Sequence, residues 1–276
     1  MRAADAEGLS FRASDGLRIS YRIDDFTDPW KDPETLVLVH AAMGSVRRFY
    51  AWVPHLCRHF RVVRIDMRGH GDSEIPGEGG LSLERLSLDL IDLLDHLGVE
   101  RAHLAGSSAG GIVSMYTAIV RPERVRTLAT YATIPGLKMS AGHTDYEAWI
   151  KGLREEGVHA FLKRTIATRF DLKQVEPGFV EWFLNESARN DPTLLARFVR
   201  LMSSVDYSEL VPELQCPTLM VVPGGDPNQS MEEYVGVRNA IRDCEFIVYE
   251  GCPHNITDAV PDRCAEDLKT FLLKHG

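Results

Sequence analysis

No stretch of the 276 residues approaches the run of about 20 apolar side chains that a membrane helix needs, so a spanning segment is not expected. Residues 1–12 scatter charges without an apolar centre and do not read as a secretory signal, which makes a cytoplasmic location the expectation. Cysteine is scarce. The five present are odd in number and include no C-x-x-C pair, which argues against a disulfide framework or a zinc knuckle, and no metal is expected. Basic charge is outweighed: 31 Lys and Arg face 40 Asp and Glu, for a formal net charge of -9. Such a chain is a poor partner for a polyanion, so nucleic acid and anionic membranes are not expected partners. A small-molecule substrate and a homo-oligomer remain compatible with it. Repeats and low-complexity tracts are missing too, which excludes solenoid architectures. What remains is ordinary globular composition, 44% apolar and 26% charged, enough for a sizeable core.

The length admits either two small domains or one large α/β domain with an insertion, and the order of elements decides between them. Residues 9–14 and 17–23 are β-like and meet at Asp15-Gly16, a hairpin turn signal. Apolar runs at 35–40 and 60–65 flank an amphipathic segment, 47–58, that reads as a helix, which makes a βαβ unit. Leucines at 83, 86, 90, 93, 94 and 97 recur at helical spacing up to Gly98. Residues 103–106 then read as a strand, 109–120 as a helix and 125–133 as a strand. After Pro135-Gly136 the strand signal stops until Pro217, and Trp149, Phe161, Trp182 and Phe198 fall in a segment of helical character. Alternation resumes with a strand at 218–222, a helix near 231–242, a strand at 245–249 and a helix at 263–274. The helical block therefore interrupts one sheet. Its aromatics are expected to form the inside of a small helical unit, with Trp149 and Trp182 as candidates to face a ligand.

The motif that carries chemistry is Gly106-Ser107-Ser108-Ala109-Gly110, a G-x-S-x-G between an expected strand and an expected helix. A bare motif of this kind is common in loops. In this context its small residues let the chain reverse sharply and raise Ser108 above the sheet edge, beside the free N–H groups of a helix start. A serine needs a base, and the base needs an orienting acid. Asp226 follows the strand at 218–222 and His254 follows the strand at 245–249, each at the carboxyl edge of the sheet, where open α/β sheets carry their sites. Asp258 and Asp262 are rival acids close to His254, and Asp226 precedes Pro227, so it also reads as a turn residue. Oxyanion donors are expected from the backbone N–H groups of Ala42, in the small-residue loop after His40, and of Ala109. His40 and the loop from Asp66 to Ser73 read as structural. Arg47, Arg48 and Lys138 are candidates to meet a substrate carboxylate, although solvation is the usual fate of such side chains.

From about residue 17 to residue 274 this ordered set resembles the α/β-hydrolase superfamily, in particular small lidded members such as carboxylesterases and 3-oxoadipate enol-lactonase. The Asp66-Met-Arg-Gly-His-Gly-Asp-Ser73 loop and the elbow around Ser108 carry the resemblance. It implies an α/β-hydrolase fold with a mainly parallel eight-stranded sheet, helices on both faces, a helical cap after the sixth strand, and hydrolysis without a cofactor. On that footing residues 1–136 and 211–276 form the core and 137–210 the cap. His40-Ala41 stands where the family usually has His-Gly, and the acid loop is short.

The expected reaction is hydrolysis of an ester, thioester or lactone through an acyl-enzyme on Ser108. A serine at the elbow argues against haloalkane dehalogenation and epoxide hydrolysis, which use an aspartate there. Carbon–carbon bond hydrolysis of ring-cleavage products uses the same three residues and is the alternative enzyme class, while a slow-turnover ligand sensor is the alternative outside catalysis.

Overall fold

The computed structural model describes residues 8–138 and 144–275. Residues 1–7, on which the reading of no signal segment falls, and residues 139–143 of the cap span lie outside the described residues. The chain opens with an antiparallel hairpin, β1 (Leu9–Arg12) and β2 (Arg18–Asp24), with Phe11 opposite Ile19. It reverses at Asp15-Gly16, where Gly16 holds φ +86°, a conformation that a side chain would disfavour.

Next come β3 (Thr35–Val39), α1 (Val53–Leu56), β4 (Arg61–Ile65) and α2 (Leu83–His96). They are followed by β5 (Ala102–Ser107), α3 (Ala109–Val120) and β6 (Val125–Tyr131). The helix expected over 47–58 is instead two short pieces, a 3-10 turn at Val46–Phe49 and the single turn of α1. Pro54 explains the break: it lacks an N–H and fits only the first turn of a helix, which is where it sits. The leucine repeat does form α2, capped by Ser82 Oγ accepting from the Arg85 N–H at 3.1 Å. Its buried residues include Leu83, Leu86, Leu90, Leu93 and Leu94, each worth about 1.5–3 kcal/mol over exposure.

After β6 the chain leaves the sheet for α4 (Tyr146–Arg164), α5 (Pro177–Ser187) and α6 (Pro192–Ser204). The long α4 is kinked at Gly157, φ +78°. These helices bury their own apolar cluster, with Ile150, Leu153, Phe161, Phe170, Phe183 and Leu195 among its members. The sheet then resumes with β7 (Thr218–Pro223), α7 (Met231–Ala240) and β8 (Cys244–Tyr249), and the chain closes with α8 (Ile256–Ala259) and α9 (Pro261–His275).

Among the described residues all strands form one eight-stranded sheet in the order β1-β2-β4-β3-β5-β6-β7-β8. From β4 to β8 neighbours run parallel, and β2 is antiparallel to both of its neighbours. Every residue of β3, β5 and β7 is buried, as parallel strands covered on both faces must be. One apolar cluster joins the sheet to α2, α3 and α7, and a second joins the other face to α1 and α9. This is the α/β-hydrolase architecture with helices inserted after the sixth strand. The strand order turns around at β3: its successor β4 lies on one side and β5 on the other. The carboxyl ends of β3 and β5 therefore open a crevice, and the loops that leave it are those of His40 and Ser108.

Candidate active site

Ser108 stands between β5 and α3 with φ 49° and ψ -114°, a left-handed backbone that a non-glycine residue rarely holds. Its surroundings enforce the turn. The Ser108 N–H donates to the Tyr131 carbonyl at 2.8 Å, and its own carbonyl accepts the Ile112 N–H at 2.9 Å. The motif glycines are required by space: a Cβ on Gly106 would strike the Gly110 backbone, and one on Gly110 would strike the carbonyls of Val39 and His40. Without side chains at these points α3 settles directly onto β3 and β5, and Ser108 is left facing the crevice. Ser107 points the other way, its hydroxyl buried against Thr257 Oγ1 at 3.0 Å.

His254 lies just after β8, with Nε2 3.1 Å from Ser108 Oγ and Nδ1 2.8 Å from Asp226 Oδ2. An ionised carboxylate only accepts, so Nδ1 carries the proton and Nε2 is left to accept from the serine hydroxyl. Asp226 follows β7 and is also a turn residue, because its Oδ1 accepts the Asn228 N–H at 2.8 Å. Tyr234 of α7 donates to Oδ2 at 2.5 Å. Burial alone would raise the Asp226 carboxyl, but the charge of His254 and the bonds from His254, Tyr234 and Asn228 hold it below the usual carboxylate value. The Tyr234 phenol is pushed well up by burial and by the Asp226 charge, so it remains a donor. The rival acids are engaged elsewhere. Asp258 pairs with Arg48 at 2.8 Å and Asp262 with His55 at 3.0 Å.

Ala42 and Ala109 both line the cavity over Ser108, and among the described residues neither N–H has an acceptor. His40 shapes the loop that carries Ala42. Its Nδ1–H donates to the Ala41 carbonyl at 2.8 Å, and Nε2 accepts the Met67 N–H at 3.0 Å. That pattern needs a neutral ring, and burial together with His70 lowers its proton affinity accordingly. The 66–73 loop behind it is fixed by Asp66, whose oxygens accept the N–H groups of Val46 at 2.7 Å and Asp72 at 3.0 Å, and by the buried Arg68–Asp89 pair.

The cavity measures ≈ 50 Å³. The wall facing Ser108 and His254 is built by the cap, including Trp149, Arg169, Phe198 and Met202, and by Gln229 of the acid loop. Of the two tryptophans expected at a ligand, Trp149 lines this cavity and Trp182 does not. The Trp182 ring packs against Tyr50, centroids 5.1 Å apart, and against Phe179, on another side of α5. None of the three cations considered for a substrate carboxylate reaches the cavity either. Arg48 is spent on Asp258 and Ser187, Arg47 lies 3.7 Å from Glu186, and Lys138 is exposed. Sequence reasoning missed Tyr234 and Arg169. Tyr234 had a signal, an aromatic hydroxyl one helix after the acid, whereas Arg169 sits in an irregular link of the cap with no motif around it.

A family model for the alpha/beta hydrolase fold matches residues 34–257. An (E)-2-((N-methylformamido)methylene)succinate hydrolase of Acinetobacter baylyi is 22% identical over 250 residues, 87% of this chain and 90% of that protein. An sn-1-specific diacylglycerol lipase of Danio rerio is 30% identical over 162 residues, covering 58% of this chain and 49% of the lipase. The chain thus spans about half the length of that relative, and of one further curated relative it spans only 26%. Among solved structures, the enol-lactonase from Burkholderia xenovorans LB400 matches with a TM-score of 0.86 at 22% identity, over 96% of this chain and 100% of that one. At that identity the likeness is one of fold.

Proposed function

The chain belongs to the α/β-hydrolase fold family, and from that premise we propose that it hydrolyses an ester or lactone bond of a small molecule through an acyl-enzyme on Ser108. The observation that carries this reading is the unbroken line from Ser108 through His254 to Asp226, opening into a cavity with two unengaged backbone N–H groups on its wall. Ser108 Oγ attacks the carbonyl carbon as its proton passes to His254 Nε2, and Asp226 stabilises the imidazolium that forms. The oxyanion is held by the Ala42 and Ala109 amides, helped by the positive end of α3. His254 then gives its proton to the leaving oxygen. Water enters by the same route in reverse and frees the acid and the serine.

The reading is tested by fluorophosphonate labelling and by stopped-flow hydrolysis of p-nitrophenyl esters. The intact protein should take one label, on Ser108, and show a burst of phenolate. Ser108→Ala should lose both, with a fall in turnover of ~10⁴ to 10⁶. Label on another residue, or near-normal turnover in that variant, overturns the assignment.

A further inference from the structure

Arg169 lies in the link between α4 and α5, and its main chain is tied to the site. Its carbonyl accepts the N–H of Asn255, the residue after His254, at 3.3 Å. Its side chain lines the same cavity as Ser108, yet only 7% of the residue is exposed. Among the described residues neither Nε nor Nη2 has a hydrogen-bond partner. The guanidinium carbon stands 5.2 Å from the centroid of Trp149, which supplies a π face but no acceptor. The nearby carboxylate, Asp258, is already bonded to Arg48 and Asn255. Arg48 adds repulsion: burial first, and then this neighbouring charge, push the Arg169 guanidinium down to about 10, still a cation at neutral pH. Buried guanidinium groups are ordinarily paired, because an unmet charge away from water is costly. Arg169 lines the cavity that also holds the serine hydroxyl, a place where an anion entering with a substrate could meet this group. Guanidinium donors fit a carboxylate in two-point geometry.

We propose that the substrate carries a carboxylate, and that Arg169 binds it while the scissile carbonyl sits at Ser108. This deepens the ester-hydrolase reading and rests on it for the kinetic arm of the test.

Two matched pairs of esters test the proposal: p-nitrophenyl hydrogen glutarate against p-nitrophenyl pentanoate, and 4-carboxyphenyl butyrate against phenyl butyrate. At least one acid should exceed its neutral match in kcat/KM by about 10- to 100-fold, the worth of a charge-assisted hydrogen bond. In Arg169→Met that ratio should collapse, chiefly through KM, and Arg169→Lys should restore part of it. A preference that survives Arg169→Met, or no preference for either acid, overturns the proposal. A second arm needs no turnover. Glutarate should raise the melting temperature of the wild type and not that of Arg169→Met, and no shift in the wild type counts against Arg169 as a carboxylate site. If neutral esters are cleaved through Ser108 but glutarate neither binds nor inhibits, the carboxylate inference fails and the hydrolase reading stands. If Ser108 takes no fluorophosphonate and no ester turns over while glutarate still binds at Arg169, the hydrolase reading fails and the anion site stands.

Discussion

Asp226 Oδ2 accepts from both His254 and Tyr234 while Oδ1 holds the Asn228 amide, so removing the charge and removing one neighbour of the charge should have separable effects. Asp226→Asn can keep the Asn228 bond, because an amide oxygen still accepts, and the fold should survive. It loses the charge that supports the imidazolium and favours the wrong tautomer, so turnover should fall by up to ~10⁴ with little change in melting temperature. Tyr234→Phe leaves the carboxylate but removes one bond to it, and a loss of about tenfold is expected, the scale of a single hydrogen bond to a charged group. Since the three bonds hold the Asp226 carboxyl below its usual value, it stays ionised throughout the working range. The carboxylate should therefore add no step of its own to the acid limb of kcat/KM against pH, and a step removed by Asp226→Asn would mean that it titrates within that range. Asp258→Asn should register in stability instead of turnover, because its partner is the buried Arg48.

At the scale of elements, the site depends on how closely α3 lies on β3. Gly110→Ala would drive a methyl group into the Val39 and His40 carbonyls, which are backbone and cannot rotate away. The helix must lift, and a loss of about 1–3 kcal/mol or more in urea unfolding is expected, with turnover falling as the elbow shifts. Gly236 on α7 is the contrast. A Cβ there meets nothing within 4 Å, so Gly236→Ala should be neutral or stabilise by up to about 1 kcal/mol through helix propensity. The small residues around Ser108 were legible because steric need writes itself into sequence as glycine and alanine. The rotation of a cap helix was not. Trp149 and Trp182 stand in equally apolar surroundings along the chain, and only the packing of α4 and α5 decides that one faces Ser108 and the other Tyr50. Shortening Trp149 to Ala should accordingly widen acceptance of bulky acyl groups, measured as the ratio of kcat/KM for long and short esters, while Trp182→Ala should leave that ratio near its original value.

For the whole molecule, alternating strands and helices, the interruption after β6, and the order serine, acid, histidine could be read along the chain because each follows from local periodicity and from where strands end. The pairing of charges could not, because it depends on which distant side chains meet. Arg48 finds Asp258 across 210 positions, and among the described residues Arg169 Nε and Nη2 are left beside the same pair without an acceptor. That residual charge weighs on the stability of the free protein. The Arg169 cation is disfavoured in the folded state, pushed down by burial and by Arg48 to about 10, so the penalty is present in full below that value and is relieved only as pH rises from it toward the ordinary arginine value. At neutral pH, Arg169→Met removes it and keeps a long unbranched side chain against Trp149 and the cap core. The free variant should be more stable than the wild type by about 1–3 kcal/mol, as for other buried charges replaced by apolar residues. For a domain of this size that is a rise of several degrees in melting temperature, at roughly 2–4 °C per kcal/mol. A melting temperature that falls instead would mean that the guanidinium is satisfied within the fold, and that the cavity does not await an anion.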